Sequence, residues 1–416
     1  MPIRIRLATC FALLGLVAAR VAATTDQPAA LLTLPYVTAD AQRGVDTALR
    51  ISNVDDDPVD VVCALESSTS QCLQHPELPC LDDAACPAGD VCARSPLQVT
   101  QFSVRLTANQ PIGWQLSSGV AVLPLPGNAG SIPPAPLDPF RGTLRCFAAD
   151  EGGRPVARNV LIGDAALETA AGDPLRLDAA GYNAIGLAAH TDPFVDDGVL
   201  QLGGDEAEYD ACPGTLRLNH FFDQAIDPVS HSAAIFTSLA LVTCAADFGR
   251  AYPDPALTQV IASFLVHNEF EQRFSTSAPV IPAALVGLSN IDTNVPERSI
   301  FSAGVVGTLS GQTLIEAFGG GVLGVALQTH RCIADPARVS SAAFSVHPEG
   351  ESPAAIQLDF GCPAQPMSTC HRASRSELLL SQRGNGRSRL SWEWRGAPPP
   401  EAVQFGAPQQ TTRYAF

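Results

Sequence analysis

Along most of the chain, apolar and polar residues alternate with period two in short runs bounded by Pro, Gly and Asp. The runs Thr47 to Ser52, Val59 to Val62, Phe102 to Thr107 and Gly142 to Phe147 each place one set of side chains inward and the next outward. Two strand–turn–strand units can be placed. Arg50 to Asn53 leads through the turn Val54 to Pro58 into Val59 to Ala64, and Gly142 to Ala148 leads through Asp150 to Gly153 into Val156 to Ile162. Short strands at this spacing predict an all-β chain. The 34 prolines suit turns and strand edges and suit long helices poorly.

Pro-rich stretches at 124–139 and 192–213 interrupt the pattern, and a boundary is expected near residue 210. A second strand series then follows: Ala234 to Thr243, Val260 to His267, Ser299 to Leu309, Thr313 to Phe318, Val322 to Thr329, Ala342 to Val346 and Ala355 to Phe360. Asn53 and Asn268 each close an alternating run and open an acidic turn, which hints at two copies of one immunoglobulin-like unit. The expected fold is therefore a tandem of antiparallel, immunoglobulin-like β-sandwich domains at 24–209 and 210–362, with a disulfide-rich insert at 63–92 and a strand-rich module at 363–416.

The first 23 residues combine Arg4 and Arg6, an apolar run from Leu7 to Ala19 and small residues at Val21 to Ala23. These are the parts of a secretory signal with cleavage expected after Ala23. The apolar run is too short to span a bilayer, and no later segment is long enough, so no transmembrane span is expected and the protein is placed outside the cell, in the periplasm or at the cell surface. Removing the leader takes away Arg4, Arg6 and Arg20 but no acid, which lowers the formal charge of −17 by three. Phosphate backbones repel such a chain, so nucleic acid is not an expected partner. All 25 basic residues are Arg, which excludes Schiff-base and phosphate-loop lysine chemistry.

Twelve cysteines are present, one of them, Cys10, in the leader. In an exported chain Cys63, Cys72, Cys80, Cys86, Cys92, Cys146, Cys212, Cys244, Cys332 and Cys362 are expected in disulfides. No pair has the tight spacing of a zinc knuckle. The segment from Cys80 to Cys92 is too short and turn-rich to bury a core, and it resembles small disulfide inserts of exported, strand-rich proteins from GC-rich Gram-negative bacteria. The stretches Cys370 to Leu380, Arg389 to Gly396, Phe405 to Pro408 and Thr412 to Phe416 resemble the opening of an uncharacterised strand-rich module of large exported bacterial proteins. In that module a later Cys would pair with the first one. The resemblance therefore implies a truncated module and makes Cys370 the candidate free thiol.

Catalytic signatures are sparse. Gly319 to Gly324 satisfies the dinucleotide-loop pattern, but a strand follows it, so it reads as a glycine hairpin turn. Neither a serine elbow nor a paired-histidine metal motif occurs. His267, Glu269 and Glu271 would share one face if their segment stayed extended, and they are the nearest approach to a hydrolytic site. Two acidic clusters remain. Asp55, Asp56, Asp57 and Asp60, beside Asn53, are candidate calcium ligands, and Asp192 to Asp210 carries a second set of acids. Calcium is the one cofactor these residues suggest.

A non-enzymatic structural or adhesive protein of the envelope or cell surface is the expected function. A calcium-assisted carbohydrate- or ligand-binding module stacking sugars on Trp114, Trp392 or Trp394 is the second reading, and a hydrolase using the His267 region the third. A surface glycan or an envelope protein would be the partner.

Overall fold

The computed structural model describes residues 23–67, 71–75, 86–93, 98–122, 131–170, 177–190, 200, 202–203, 208–244, 260–281, 284–348, 375–382 and 388–395. The fold is all-β. The strands before residue 190 are β1 (Leu31–Ala39), β2 (Val45–Asn53), β3 (Val59–Ser67), β4 (Gln71–Cys72), β5 (Cys92–Ala93), β6 (Gln98–Leu106), β7 (Pro111–Gln115), β8 (Phe140–Ala149), β9 (Leu161–Ala170), β10 (Leu177–Asn183) and β11 (Ile185–Leu187). Then come β12 (Thr215–Phe221), β13 (Ala225–Ile226), β14 (Ala233–Thr243), β15 (Ile261–Asn268), β16 (Arg273–Pro279), β17 (Val286–Gly287), a single helical turn α1 (Ala303–Val306), β18 (Ser310–Phe318), β19 (Val322–Cys332) and β20 (Val339–Val346). The hairpin β21 (Arg375–Gln382) and β22 (Ser388–Arg395) forms a sheet of its own.

Four sheets carry the fold, with strand orders β11-β1-β8-β3-β6, β10-β9-β2-β7, β12-β18-β15-β16 and β13-β14-β19-β20. The first two close on one core, where Leu32, Val61 and Leu144 of one sheet meet Leu49, Ile51, Trp114 and Leu161 of the other. The last two share a second core, in which Leu216, Phe264 and Ile315 meet Leu239, Leu241 and Val322. The period-two pattern is the cause: in β2, Leu49 and Ile51 are buried while Arg50 between them is exposed.

The two halves repeat one topology. Strands β1, β2, β3, β6, β7, β8, β9 and β10 correspond in sheet, neighbour and chain order to β12, β14, β15, β16, β17, β18, β19 and β20. A shared glycine marks the equivalence. A Cβ at Gly142 of β8 would lie 2.4 Å from the carbonyl oxygen of Glu66 and 2.5 Å from the Phe140 ring, and one at Gly311 of β18 would lie 2.6 Å from both the carbonyl oxygen of His267 and the Phe222 ring. In both places a phenylalanine ring fills the space that a side chain would need.

Several expectations need correction. The neighbours differ from an immunoglobulin order: β2 pairs with β7 and β3 with β8, as strands B, E, C and F would, but β1 flanks β8 and β9 flanks β2. The first and last strands have exchanged places. The turn at 54–58 joins strands of different sheets, because β2 and β3 each find antiparallel partners elsewhere. Gly319 to Gly321 likewise passes from one sheet to the other rather than closing a hairpin, with Gly319 at φ +97°. Val156 to Val160 forms no ladder, and Ser299 to Leu309 turns through α1 instead of extending. Ala355 to Phe360 lies outside the described residues. Asn53 ends β2 and Asn268 ends β15, so the two asparagines are not equivalent although the duplication they suggested is present.

Both halves meet through outer sheet faces. Leu31, Phe147 and Ile185 pack against Val242 and Leu323, burying a surface of β14 and β19 that would otherwise face water. At the same junction Arg145, 5% exposed, donates from Nη2 to the carbonyl oxygen of Thr243 at 2.6 Å and lies 3.7 Å from the buried Glu66 carboxylate. Thr24, where the mature chain is expected to begin, exchanges two backbone hydrogen bonds with Gly186.

Disulfides join Cys63 to Cys146, Cys72 to Cys86 and Cys212 to Cys244. Cys92 and Cys332 are disulfide-bonded as well. Cys80, Cys362 and Cys370 lie outside the described residues. The first bridge links directly opposed positions of neighbouring strands within one sheet. Cys72, Cys86 and Cys92 form the small core of the insert, and Asp90 fastens it by accepting from the Gln74 amide and from His75 Nδ1 at 2.9 Å. No helix among the described residues is long and apolar enough to cross a membrane. Disulfides of this number are compatible with an oxidising, extracytoplasmic setting.

Candidate functional site

A cavity of about 530 Å³ opens in the second half, at the end of the sheets where β12 and β19 finish. Its volume lies within the range of small-molecule sites. One wall is a row across three strands: Asn219 of β12 pairs with Gln312 of β18, which pairs with His267 of β15. These side chains share the face opposite the buried Leu218, Thr313 and Val266, as strand alternation requires. One pleat further on, Phe221 stands opposite Ser310. Ser310 Oγ donates to Glu269 Oε1 at 2.6 Å, and Gln312 Nε2 donates to Asn219 Oδ1 at 2.8 Å.

The rest of the lining comes from the neighbouring sheet, on the face that carries Ala326 and Val346 into the core. Gln328 and His330 of β19, Phe344 of β20 and the turn Asp227 to Val229 form it. That turn is pinned from inside. Asp227 accepts from the Val229 amide and from Ser230 Oγ, both at 2.8 Å, and its Oδ2 lies 3.5 Å from His330 Nδ1. Burial works against the ionised Asp227 carboxyl, but these donors hold it below the usual carboxylate range. Burial also depresses His330, and Asp227 offsets only part of this, so its imidazole is neutral at pH 7. Asp223 anchors the base of the same loop, accepting from the amides of Thr237 at 2.8 Å and Ser289 at 3.0 Å, while its own burial pushes its carboxyl upward.

His220 lies behind the first wall. Its Nε2 accepts from Thr313 Oγ1 at 2.8 Å, its Nδ1 donates to the carbonyl oxygen of Phe221 at 3.1 Å, and the Phe222 ring packs edge-on 5.0 Å away. Burial lowers its pKa to about 4. A histidine kept neutral by the fold contributes full stability above its unfolded value near 6.5, and that contribution is lost as the pH falls through about 4. We expect wild-type protein to lose about 3 kcal/mol across this window relative to His220→Gln. Urea midpoints of both proteins between pH 7 and 4 measure this, and parallel curves would show that the imidazole is solvated. Taking the difference removes the opposite trend of Asp223, whose raised pKa adds stability on acidification.

The cavity brings together two of the three residues expected near the hydrolytic site. His267 and Glu269 line it, whereas Glu271 sits at φ +61° in the turn to β16 and is not part of the wall. The side chain of Asn268 makes that turn, its Oδ1 accepting from the amides of Phe270 and Gln272. His220, His330, Asn219 and Gln312 were missed by sequence reasoning. Each is a polar residue in an alternating run; the pairing of β12, β18 and β15 sets Asn219 and Gln312 in a row with His267, while His220 turns to the other face and His330 comes from the neighbouring sheet.

Of the expected calcium ligands Asp55, Asp56, Asp57 and Asp60, three accept hydrogen bonds from neighbouring side chains. Asp55 Oδ2 accepts from Arg158 at 2.6 Å, Asp60 from Arg105 at 3.1 Å, and Asp56 from Asn109 at 2.9 Å. The arginine hydrogen bond, above all, holds the Asp55 carboxyl below its ordinary range. Among the described residues no three His, Cys, Asp or Glu side chains converge as metal ligands. Most of the second acidic cluster lies outside the described residues. Trp114 is fully buried in the first core, packed edge-on against Phe102, and offers no face to a sugar. The side chains of Trp392 and Trp394 lie outside the described set. No protein-family model matches the chain, and none of the curated proteins matches it.

Proposed function

We propose that the protein is a non-enzymatic, exported binding protein of the envelope or cell surface, built as a tandem of Greek-key β-sandwich modules. The observation that carries this reading is the composition of the cavity wall. It is concave, sets a few polar side chains in a mainly apolar surface and is anchored by Asp223 and Asp227, yet Ser310 is hydrogen-bonded to a carboxylate rather than an imidazole. The imidazole–hydroxyl pair behind the wall, His220 with Thr313, is buried. A nucleophile needs a base within hydrogen-bond reach and access to substrate, and this arrangement supplies neither together. Disulfides and a rigid junction between the halves suit a protein that must persist outside the cell.

Purified protein beginning at Thr24 is expected to leave a panel of nitrophenyl esters, nitrophenyl glycosides and casein unchanged. The competing hydrolase reading rests on His267 and Glu269 lining the same cavity. Turnover that disappears in both His267→Ala and Glu269→Ala, with an unchanged melting temperature, would establish it in place of ours.

A further inference from the structure

We propose that the cavity between β12, β15, β18 and β19 is a binding site for a neutral, polyhydroxylated ligand, of which a mono- or disaccharide is the chemical type. This inference rests on the binding reading above and names its ligand class.

The polar groups decide the class. Asn219 and Gln312 present amides and His267 an imidazole, whereas Gln328 and His330, hydrogen-bonded to each other at 2.7 Å with His330 buried, back the cavity. Each such group both donates and accepts, which is what a hydroxyl requires, since a hydroxyl also does both. No arginine lines the cavity itself and the chain has no lysine; the nearest cation is Arg273, opposite His267 on β16 and outside the lining, so a phosphate or carboxylate in the cavity would have no arginine fork to hold it. A cationic ligand is disfavoured as well: the Asp227 carboxylate is taken up by the Val229 amide, Ser230 and His330, and Glu269 by Ser310. A wholly apolar ligand would strand these polar groups without water, at a cost for each of about 1–3 kcal/mol.

Spacing points the same way. Asn219, Gln312 and His267 occupy directly opposed positions on three neighbouring strands. They therefore span about 10 Å, two strand separations, along one straight row. That length suits hydroxyls on opposite edges of one ring or on two linked rings. Phe221 stands one pleat away on the same face, and Phe344 also lines the cavity. Aromatic rings beside a polar row give the carbon–hydrogen face of a sugar its apolar surface. The side chain of His267 makes no hydrogen bond or ion pair among the described residues, so the row retains a group for a ligand.

The test uses the full mature chain. Glucose, galactose, mannose, N-acetylglucosamine, cellobiose and chitobiose are titrated at millimolar concentration while the histidine ring signals are followed by NMR. At least one sugar is expected to shift His267 and His330 saturably. Gln312→Ala and His267→Ala are each expected to weaken that sugar about tenfold or more without moving the melting temperature. Arg50→Ala, on the first half, should bind as wild type does. Binding unaffected by both cavity variants would overturn the site, and inorganic phosphate or glucuronate binding more tightly than every neutral sugar would overturn the ligand class. If no sugar binds but small amides or amines shift the same histidines, the saccharide assignment falls while the binding reading stands. Hydrolysis of a nitrophenyl glycoside at the cavity would instead defeat the binding reading.

Discussion

Replacing Cys63 and Cys146 together by alanine is expected to destabilise the first half by about 4–5 kcal/mol. The bridge closes a loop with a sequence separation of 83, and both residues are buried. Breaking it frees the unfolded chain, and the freed entropy grows with the logarithm of loop length. The Cys72–Cys86 bridge spans only 14 residues and should contribute less, about 3 kcal/mol, with its effect confined to the insert. Urea midpoints of the two double variants test the ranking. A loss below about 1 kcal/mol for the longer loop would mean that the unfolded chain is already constrained there.

Arg145→Ala is expected to cost about 3–5 kcal/mol, because it leaves a buried carboxylate without its cation. Glu66 and Arg145 have side chains only 7% and 6% exposed, and Arg145 also bonds across the junction to Thr243. The double variant Glu66→Leu with Arg145→Met removes both charges and should recover most of the loss, since matched apolar residues avoid the desolvation cost altogether. A single variant as stable as wild type would mean that water reaches the pair. Recovery in the double variant is the sharper measurement: a purely packing role for the arginine stem would give no rescue.

The all-β class could be read from alternation alone, as could most strands: Thr313 to Phe318 and Val322 to Thr329 fall within observed strands, and Val260 to His267 does so from Ile261 onward. Two segments misled for the same reason. Ser299 to Leu309 and Val156 to Val160 are rich in β-branched or apolar residues, but propensity is overridden when no partner strand offers a continuous ladder. Ser299 to Leu309 instead passes through α1 and turns toward Asp223, whose carbonyl accepts from the amide of Ala303. The candidate site was half legible. His267 and Glu269 stood out because an imidazole and acids fell within five residues of sequence, whereas Asn219, Gln312 and His330 are separated from them by dozens of residues and carried no local mark.

By itself the sequence determined which side chains face inward along each strand, where turns break the chain, and that crosslinks must hold the insert. Those properties are local: the side-chain period of a strand and the conformational preferences of Gly, Pro and Asp act over a few residues. Tertiary structure decided which strands are neighbours, and through that everything functional. It set β1 beside β8 and β9 beside β2, placed Cys63 opposite Cys146, buried the outer face of β14 and β19 against the first half, and lined up Asn219, Gln312 and His267 on three strands. Alternation is the same for a strand whatever its partner, so pairing must be settled by how two halves fill their cores together, and a row of polar groups across a sheet exists only after that choice is made.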